Sequence, residues 1–184
     1  MEETEFATVR PSTTIDGVFF VEPKPIEDDR GRFAEIYRRE WISGSREMVQ
    51  VNRSESKAGV LRGMHYHLFQ ADYWYVTHGH AFVALFDYRA SSKTAEKSET
   101  FEIKEGDDLG LYIPPGVAHG FYAVTDVTLL YMVDQVFDGT DEHSIYWDDP
   151  AMEITWPFEG QPVVSERDQN SPMLIDVPEE NLPF

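Results

Sequence analysis

Gly59-Val60-Leu61-Arg62-Gly63-Met64-His65-Tyr66-His67 runs through Leu68-Phe69-Gln70-Ala71-Asp72 into Tyr73-Trp74-Tyr75-Val76-Thr77-His78-Gly79, and its reading decides the fold. Side chains two apart on a strand share a face, so alternation sets His65 and His67 together and turns Arg62 the other way. An imidazole pair beside a guanidinium is costly to desolvate, which favours binding or chemistry over plain packing.

Outward from this stretch the chain keeps the same short rhythm. Val18 to Val21 is an aromatic and β-branched run stopped by Pro23 and Pro25, and Asp28-Asp29-Arg30-Gly31 is a turn. Arg32 to Tyr37 alternates as a half-buried strand, and Arg38 to Ser45 suits a short helix or loop. Met48 to Ser54 is a strand with Gln50, Asn52 and Ser54 on one face, a polar stripe unlike a core surface. Thr77-His78-Gly79-His80 signals a hairpin into the apolar run Ala81 to Tyr88, with His78 and His80 read as exposed turn residues. Further strands follow at Phe101 to Ile103, Leu109 to Ile113, around His119 to Tyr122, and Val127 to Phe137. Close strand spacing without a helix of ordinary length predicts an all-β sandwich, barrel or jelly roll. The length suits one domain over 1–184, with 1–15 flexible and the proline-rich 150–184 packed as turns outside the strands.

Composition excludes several function classes. A formal charge of −19 over 184 residues repels a phosphate backbone, so nucleic acid is not an expected partner. Any anionic ligand would need the few cations gathered locally. No cysteine means no disulfide and no thiolate metal site, which suits a reducing cytoplasm. No apolar run reaches the roughly 20 residues of a membrane helix, and the acidic start is the reverse of a signal peptide. The expectation is a cytoplasmic protein without a membrane partner.

Several blocks together resemble the nucleotide-sugar 4-keto-6-deoxyhexose 3,5-epimerases, the dTDP-4-dehydrorhamnose 3,5-epimerase family. They are Asp29-Arg30-Gly31 with Phe33 and Glu35, Gln50-x-Asn52-x-Ser54-x-Ser56, Val60 to Tyr66, and Ile113-Pro114-x-Gly116-x-Ala118-His119-Gly120-Phe121. Leu130-Tyr131, Trp147-Asp148-Asp149-Pro150, Trp156-Pro157 and Ser165-x-x-Asp168 complete the series, in order over roughly residues 15–170. The resemblance implies a cupin-type double-stranded β-helix (jelly roll) with short peripheral helices, and a homodimer with strands exchanged between subunits. It implies no cofactor. It matches His65 to the base that removes the proton beside the C4 ketone, Asp168 to its carboxylate partner, and Tyr131 to the donor on the opposite face. Arg62 matches the arginine near the diphosphate, Arg30, Phe33, Glu35, Gln50 and Asn52 match pocket positions, and His119 matches a histidine at the edge of the site. The implied activity is epimerisation of a nucleotide-diphosphate 4-keto-6-deoxyhexose at C3, C5 or both, in deoxysugar biosynthesis.

Those residue types fit that chemistry. A C–H beside a ketone needs a base near neutral pKa and a group that stabilises the enolate oxygen. A carboxylate behind the histidine fixes its tautomer and supports the imidazolium. The diphosphate calls for guanidinium forks, for which Arg30, Arg53 and Arg62 are candidates. Two positions depart from the family. Its enolate-stabilising lysine is replaced by Asp72, with Lys57 and Arg53 as nearby substitutes, and Val83 stands where the family has a second acid.

The same residues support two competing readings. His65-x-His67 with Asp72 and Gly79, then Pro114-x-Gly116-x-x-His119, also resemble the two motifs of metal-binding cupins. That resemblance implies a metal-dependent enzyme with His65, His67, Asp72 and His119 as ligands for Zn, Ni, Mn or non-haem Fe. One imidazole cannot be both a free base and a ligand, so the two enzyme readings collide at His65. The third is a catalytically silent nucleotide-sugar binding cupin.

Overall fold

The computed structural model describes residues 2–183. In chain order the strands are β1 (Glu2–Glu3), β2 (Ala7–Pro11), β3 (Phe19–Pro23), β4 (Ile26–Asp28), β5 (Gly31–Phe33), β6 (Gln50–Ser56) and β7 (Leu61–Tyr66). They continue as β8 (Asp72–His78), β9 (His80–Asp87), β10 (Ser98–Lys104), β11 (Gly110–Ile113), β12 (Val117–Ala123), β13 (Val127–Val133) and β14 (His143–Ser144). Seven form one sheet in the order β1-β2-β3-β11-β8-β13-β6, and five form a second in the order β10-β9-β12-β7-β14. The two sheets make the expected jelly roll. The helical elements are single turns, including α1 (Glu166–Gln169).

Alternation in the sequence builds three apolar layers. Between the sheets lie Phe20, Trp74, Val76, Leu111 and Leu129 from one side and Val83, Leu85, Ile103 and Phe121 from the other. Behind the smaller sheet the chain after Ile145 covers Leu61, Met64, Tyr66 and Phe86 with Trp147, Met152 and Trp156. Further along the same segment, α1 sets Asp168 against Gly63 and His65 of β7. Behind the larger sheet, Ala7, Val9, Trp41, Tyr73 and Tyr112 form the third layer.

Three expectations are corrected. Residues 1–15 are not a loose end throughout, because β2 pairs with β3 and its alternate residues Ala7 and Val9 are buried. The run Val127 to Phe137 is shorter as a strand: it stops at Val133, after which the Asp134 side chain turns to accept the Ala71 N–H at 2.9 Å. The strict alternation along β7 fails as well. His119 opposes His65 while Phe121 opposes Arg62, so three steps on β7 match two on β12. The extra residue is a bulge, which reverses the facing of what precedes it. Arg62 therefore joins His65 and His67 in lining one cavity.

Candidate active site

A cavity of about 310 Å³ opens between the sheets at one end. Five strands supply it. On β6 the intermediate burial of Gln50, Asn52 and Ser54 alternates with exposed Val51, Arg53 and Glu55, so the polar stripe faces the cavity as its spacing predicts. β13 contributes Tyr131 opposite Asn52, and β8 contributes Asp72 and Trp74. From the facing sheet come Arg62 and His65 on β7 and His119 on β12, with His65 and His119 directly paired.

His65 and Asp168 meet across the chain's length. Ser165 caps α1 by accepting the Asp168 N–H at 3.0 Å, and this turn aims the buried carboxylate at β7. Asp168 Oδ1 lies 2.8 Å from His65 Nε2, while Oδ2 accepts the Gly63 N–H at 3.4 Å. Burial pushes this carboxyl up, but the bonds from His65 and Gly63 more than offset it and hold it below the usual range. An ionised carboxylate only accepts, so the proton sits on Nε2 and the Nδ1 lone pair is left unprotonated. Tyr131 lines the cavity from the opposite sheet, its phenol pushed up by burial and then by Asp72.

A second group of donors sits beside this pair. His67, Asp72 and His119 are all buried, with donor atoms within 4.8 Å of one another, and His65 is not among them. Of the four residues that the alternative reading expects as metal ligands, these three are brought together and His65 is not, its ring being held by Asp168. His67 Nδ1 bonds the carbonyl of Asp141 and His119 Nδ1 bonds that of Val117, so both rings turn Nε2 toward Asp72. Burial, partly offset by the nearby Asp72, lowers His119 to about 4 and keeps it neutral. Asp72 Oδ1 accepts from Gln70 Nε2 at 2.9 Å and Oδ2 from Trp74 Nε1 at 3.1 Å.

Several sequence-derived positions lie elsewhere. Arg30 and Phe33 belong to the β4–β5 hairpin, which pairs with neither sheet and leaves both exposed, with 89% of the Arg30 side chain in solvent. Glu35 pairs with Arg38. None of the three lines this cavity. The proposed cation substitutes are also absent from it: Arg53 faces outward beside Glu55, and Lys57 pairs with Asp126 at 2.8 Å. Among the described residues, Arg62 is the only arginine or lysine in the lining. Its Nε donates to Ser56 Oγ at 2.8 Å and its Nη2 to the Glu55 carbonyl at 3.3 Å, which leaves Nη1 for a ligand. His78 pairs with Glu105 on the hairpin, away from the cavity.

The sequence reading missed Gln70, Trp74, Phe137 and Glu142 in the lining, and Asp141 behind it. Gln70 and Trp74 stand two residues either side of Asp72, so period-two spacing was the available signal. Asp141 carried none. Its carboxylate accepts the N–H groups of Leu68, Phe69 and Gln70 at 2.7, 2.9 and 3.0 Å, which fixes the loop that presents His67 and Gln70.

Comparison with known proteins places this arrangement. A family model described as dTDP-4-dehydrorhamnose 3,5-epimerase matches residues 12–176. A dTDP-4-dehydrorhamnose 3,5-epimerase of Sinorhizobium fredii is 32% identical over 175 residues, covering 91% of this chain and 90% of that one. The structure of a dTDP-6-deoxy-D-glucose-3,5-epimerase from Legionella pneumophila in complex with dTDP-4-keto-L-rhamnose superposes with TM-score 0.89 at 30% identity, over 96% of this chain and 97% of that one. ChmJ, a 3'-monoepimerase from Streptomyces bikiniensis in complex with dTDP-quinovose, gives 0.86 at 31%, over 95% and 92%. With the jelly roll, the Asp168-held His65 and the match across nine-tenths of its length, the chain belongs to the dTDP-4-dehydrorhamnose 3,5-epimerase family.

Proposed function

We propose that this protein epimerises a nucleotide-diphosphate 4-keto-6-deoxyhexose at C3, C5 or both, through an enolate. The observation that carries the proposal is the His65–Asp168 pair opening into a cavity shared with Tyr131 and Arg62. Nδ1 of His65 takes the proton from the carbon beside the ketone, and the electron pair of that bond moves to the carbonyl oxygen. Asp168 supports the imidazolium so formed. Tyr131, on the facing sheet, returns a proton to the other face of the carbon, and the configuration inverts. Arg62 holds the diphosphate at the mouth. A 3'-monoepimerase and a 3,5-epimerase are both among the similar structures, which supports a reading that leaves one or both centres open.

The test is exchange in deuterated water with dTDP-4-keto-6-deoxyglucose. Label is expected at C3, C5 or both, followed by mass spectrometry and NMR. Absence of label with that substrate and with other nucleotide 4-keto sugars overturns the reading.

We further infer a homodimer in which the β4–β5 hairpin of one protomer closes the cavity of its partner. Three observations support it: the hairpin's isolation from both sheets, the exposure of Ile26 and Phe33 (58% and 63%), and the edge position of β6 with Val49 and Val51 outward. The family resemblance makes Arg30, Phe33 and Glu35 pocket residues, and exchange between protomers would return them to a pocket. Sedimentation is expected at twice the 21.2 kDa chain mass, and a monomer at micromolar concentration would sink the inference.

A further inference from the structure

We propose that His67, Asp72 and His119 form a binding site for one divalent transition-metal ion, Zn²⁺ or Fe²⁺ by donor type, on the wall of the cavity beside the His65 base. Three facts converge on it. The donor atoms are pre-placed: His67 Nε2 is 3.9 Å from Asp72 Oδ1, and His119 Nε2 is 3.8 Å from Asp72 Oδ2. Ligand bonds of about 2.0–2.2 Å put tetrahedral neighbours roughly 3.4 Å apart, so each His–Asp72 pair closes by about half an ångström, and the donor atoms as a set start within 4.8 Å of one another. The rings are also oriented as metal ligands are, with each Nδ1–H anchored on a backbone carbonyl and each Nε2 lone pair turned inward. Finally, His119 is 4% exposed, yet its Nε2 makes no hydrogen bond among the described residues. An imidazole nitrogen on the cavity wall, aimed at a carboxylate 3.8 Å away and bonded to nothing among the described residues, is an incomplete arrangement that a cation completes.

Gln70 shows what currently fills the gap. Its Nε2 is 3.1 Å from His67 Nε2 and 2.9 Å from Asp72 Oδ1, donating to both. An ion takes the place of that amide hydrogen bridge, and the Gln70 side chain swings away or turns its oxygen inward. Two histidines and one carboxylate leave ligand positions open toward the cavity, the mark of a site that meets substrate rather than one that braces the fold.

The role of the ion rests on the epimerase reading above. Enolate formation puts negative charge on the former ketone oxygen, and the lining offers no lysine to meet it. A cation held partly by Asp72 supplies positive charge from the very position where the sequence departs from its family. Charge at 72 is thus moved from a side chain to an ion that the side chain binds. His65 takes no part in ligation, so it stays free as the base.

The test uses the full-length protein after chelation and desalting, titrated with Co²⁺ and followed by visible d–d absorption. One equivalent is expected to bind with bands of a nitrogen and oxygen ligand set. Those bands should be lost in His67→Gln and in His119→Asn and kept in His65→Asn, with circular dichroism confirming the fold of each variant. Wild-type protein that develops no bands, or bands indifferent to both His67 and His119, overturns the site. Deuterium exchange is then read before and after chelation. Loss on chelation with recovery on adding Zn²⁺ or Fe²⁺ supports the role, and exchange untouched by chelation overturns it. One Co²⁺ bound at the predicted ligands, with no exchange on any nucleotide 4-keto sugar, supports the site while overturning the epimerase reading and with it this role. Undiminished exchange in a protein that binds no metal does the reverse.

Discussion

His65→Asn is expected to lower the rate of deuterium exchange by roughly 10³-fold, within the span that a positioned general base contributes. Asparagine keeps the size and polarity of the ring's near edge but has no basic nitrogen. The loss should fall on kcat, because the proposed mechanism holds the diphosphate at Arg62, on the far side of the bulge from His65. Asp168→Asn should cost about 10²- to 10⁴-fold by a different route. Its amide can still accept from His65 Nε2–H, or it can flip and force the proton to Nδ1, and in neither case does a negative charge face the imidazolium. The double variant should be little worse than His65→Asn alone, since the carboxylate acts only through the ring it holds at 2.8 Å. Tyr131→Phe separates the two faces of the reaction. Exchange from the His65 side should survive while inversion falls, because the phenol acts after the carbon–hydrogen bond has broken. Near-normal exchange in His65→Asn would remove the base from the mechanism, whatever the fold.

What was legible in the sequence divides along physical lines. Period-two patterning marked the strands that bury a face, and it put Gln50, Asn52 and Ser54 on a common face; it failed at Arg32 to Tyr37, where the strand is Gly31–Phe33 and exposed throughout. The partnership of His65 with Asp168 was legible only through the family resemblance, since 103 residues of loop and strand separate them and no local spacing encodes the contact. Arg30, Phe33 and Glu35 matched the family equally well, yet all three lie outside the cavity. A motif match carries no information on the chain path that brings residues together, and the proposed homodimer is what would return these to a pocket. Asp141 was silent for another reason: its carboxylate serves three backbone N–H groups, and backbone partners leave no pattern in side chains.

The remaining miss, the facing of Arg62, leads to the second large effect. Gly63→Ala is expected to destabilise the fold by about 3 kcal/mol or more, the sum of a strained backbone and an overpacked contact. Gly63 has φ +127°, and a Cβ there would lie 2.7 Å from the Gly120 Cα and 2.9 Å from the His119 carbonyl oxygen. Both are backbone atoms of the adjacent β12, so neither can swing aside as a flexible side chain would. Gly44 is the control: it also has positive φ, at +80°, but open space around it, so Gly44→Ala carries the backbone term alone, about 1 kcal/mol. The difference between the two urea midpoints isolates the close approach. The cost has a functional side, because strand pairing can relieve the clash only by undoing the bulge. Without the bulge Arg62 returns to the face that plain alternation assigns it, and the mouth of the cavity loses its guanidinium. Charge-assisted hydrogen bonds contribute about 1.5–3 kcal/mol, so folded Gly63→Ala should bind a nucleoside diphosphate roughly 10- to 100-fold more weakly by calorimetry. A stability and an affinity equal to wild type would mean that the extra residue in β7 neither strains the strand nor aims the arginine. The glycine between Arg62 and His65 is, on this argument, what lets one strand present a phosphate clamp and a base to the same substrate.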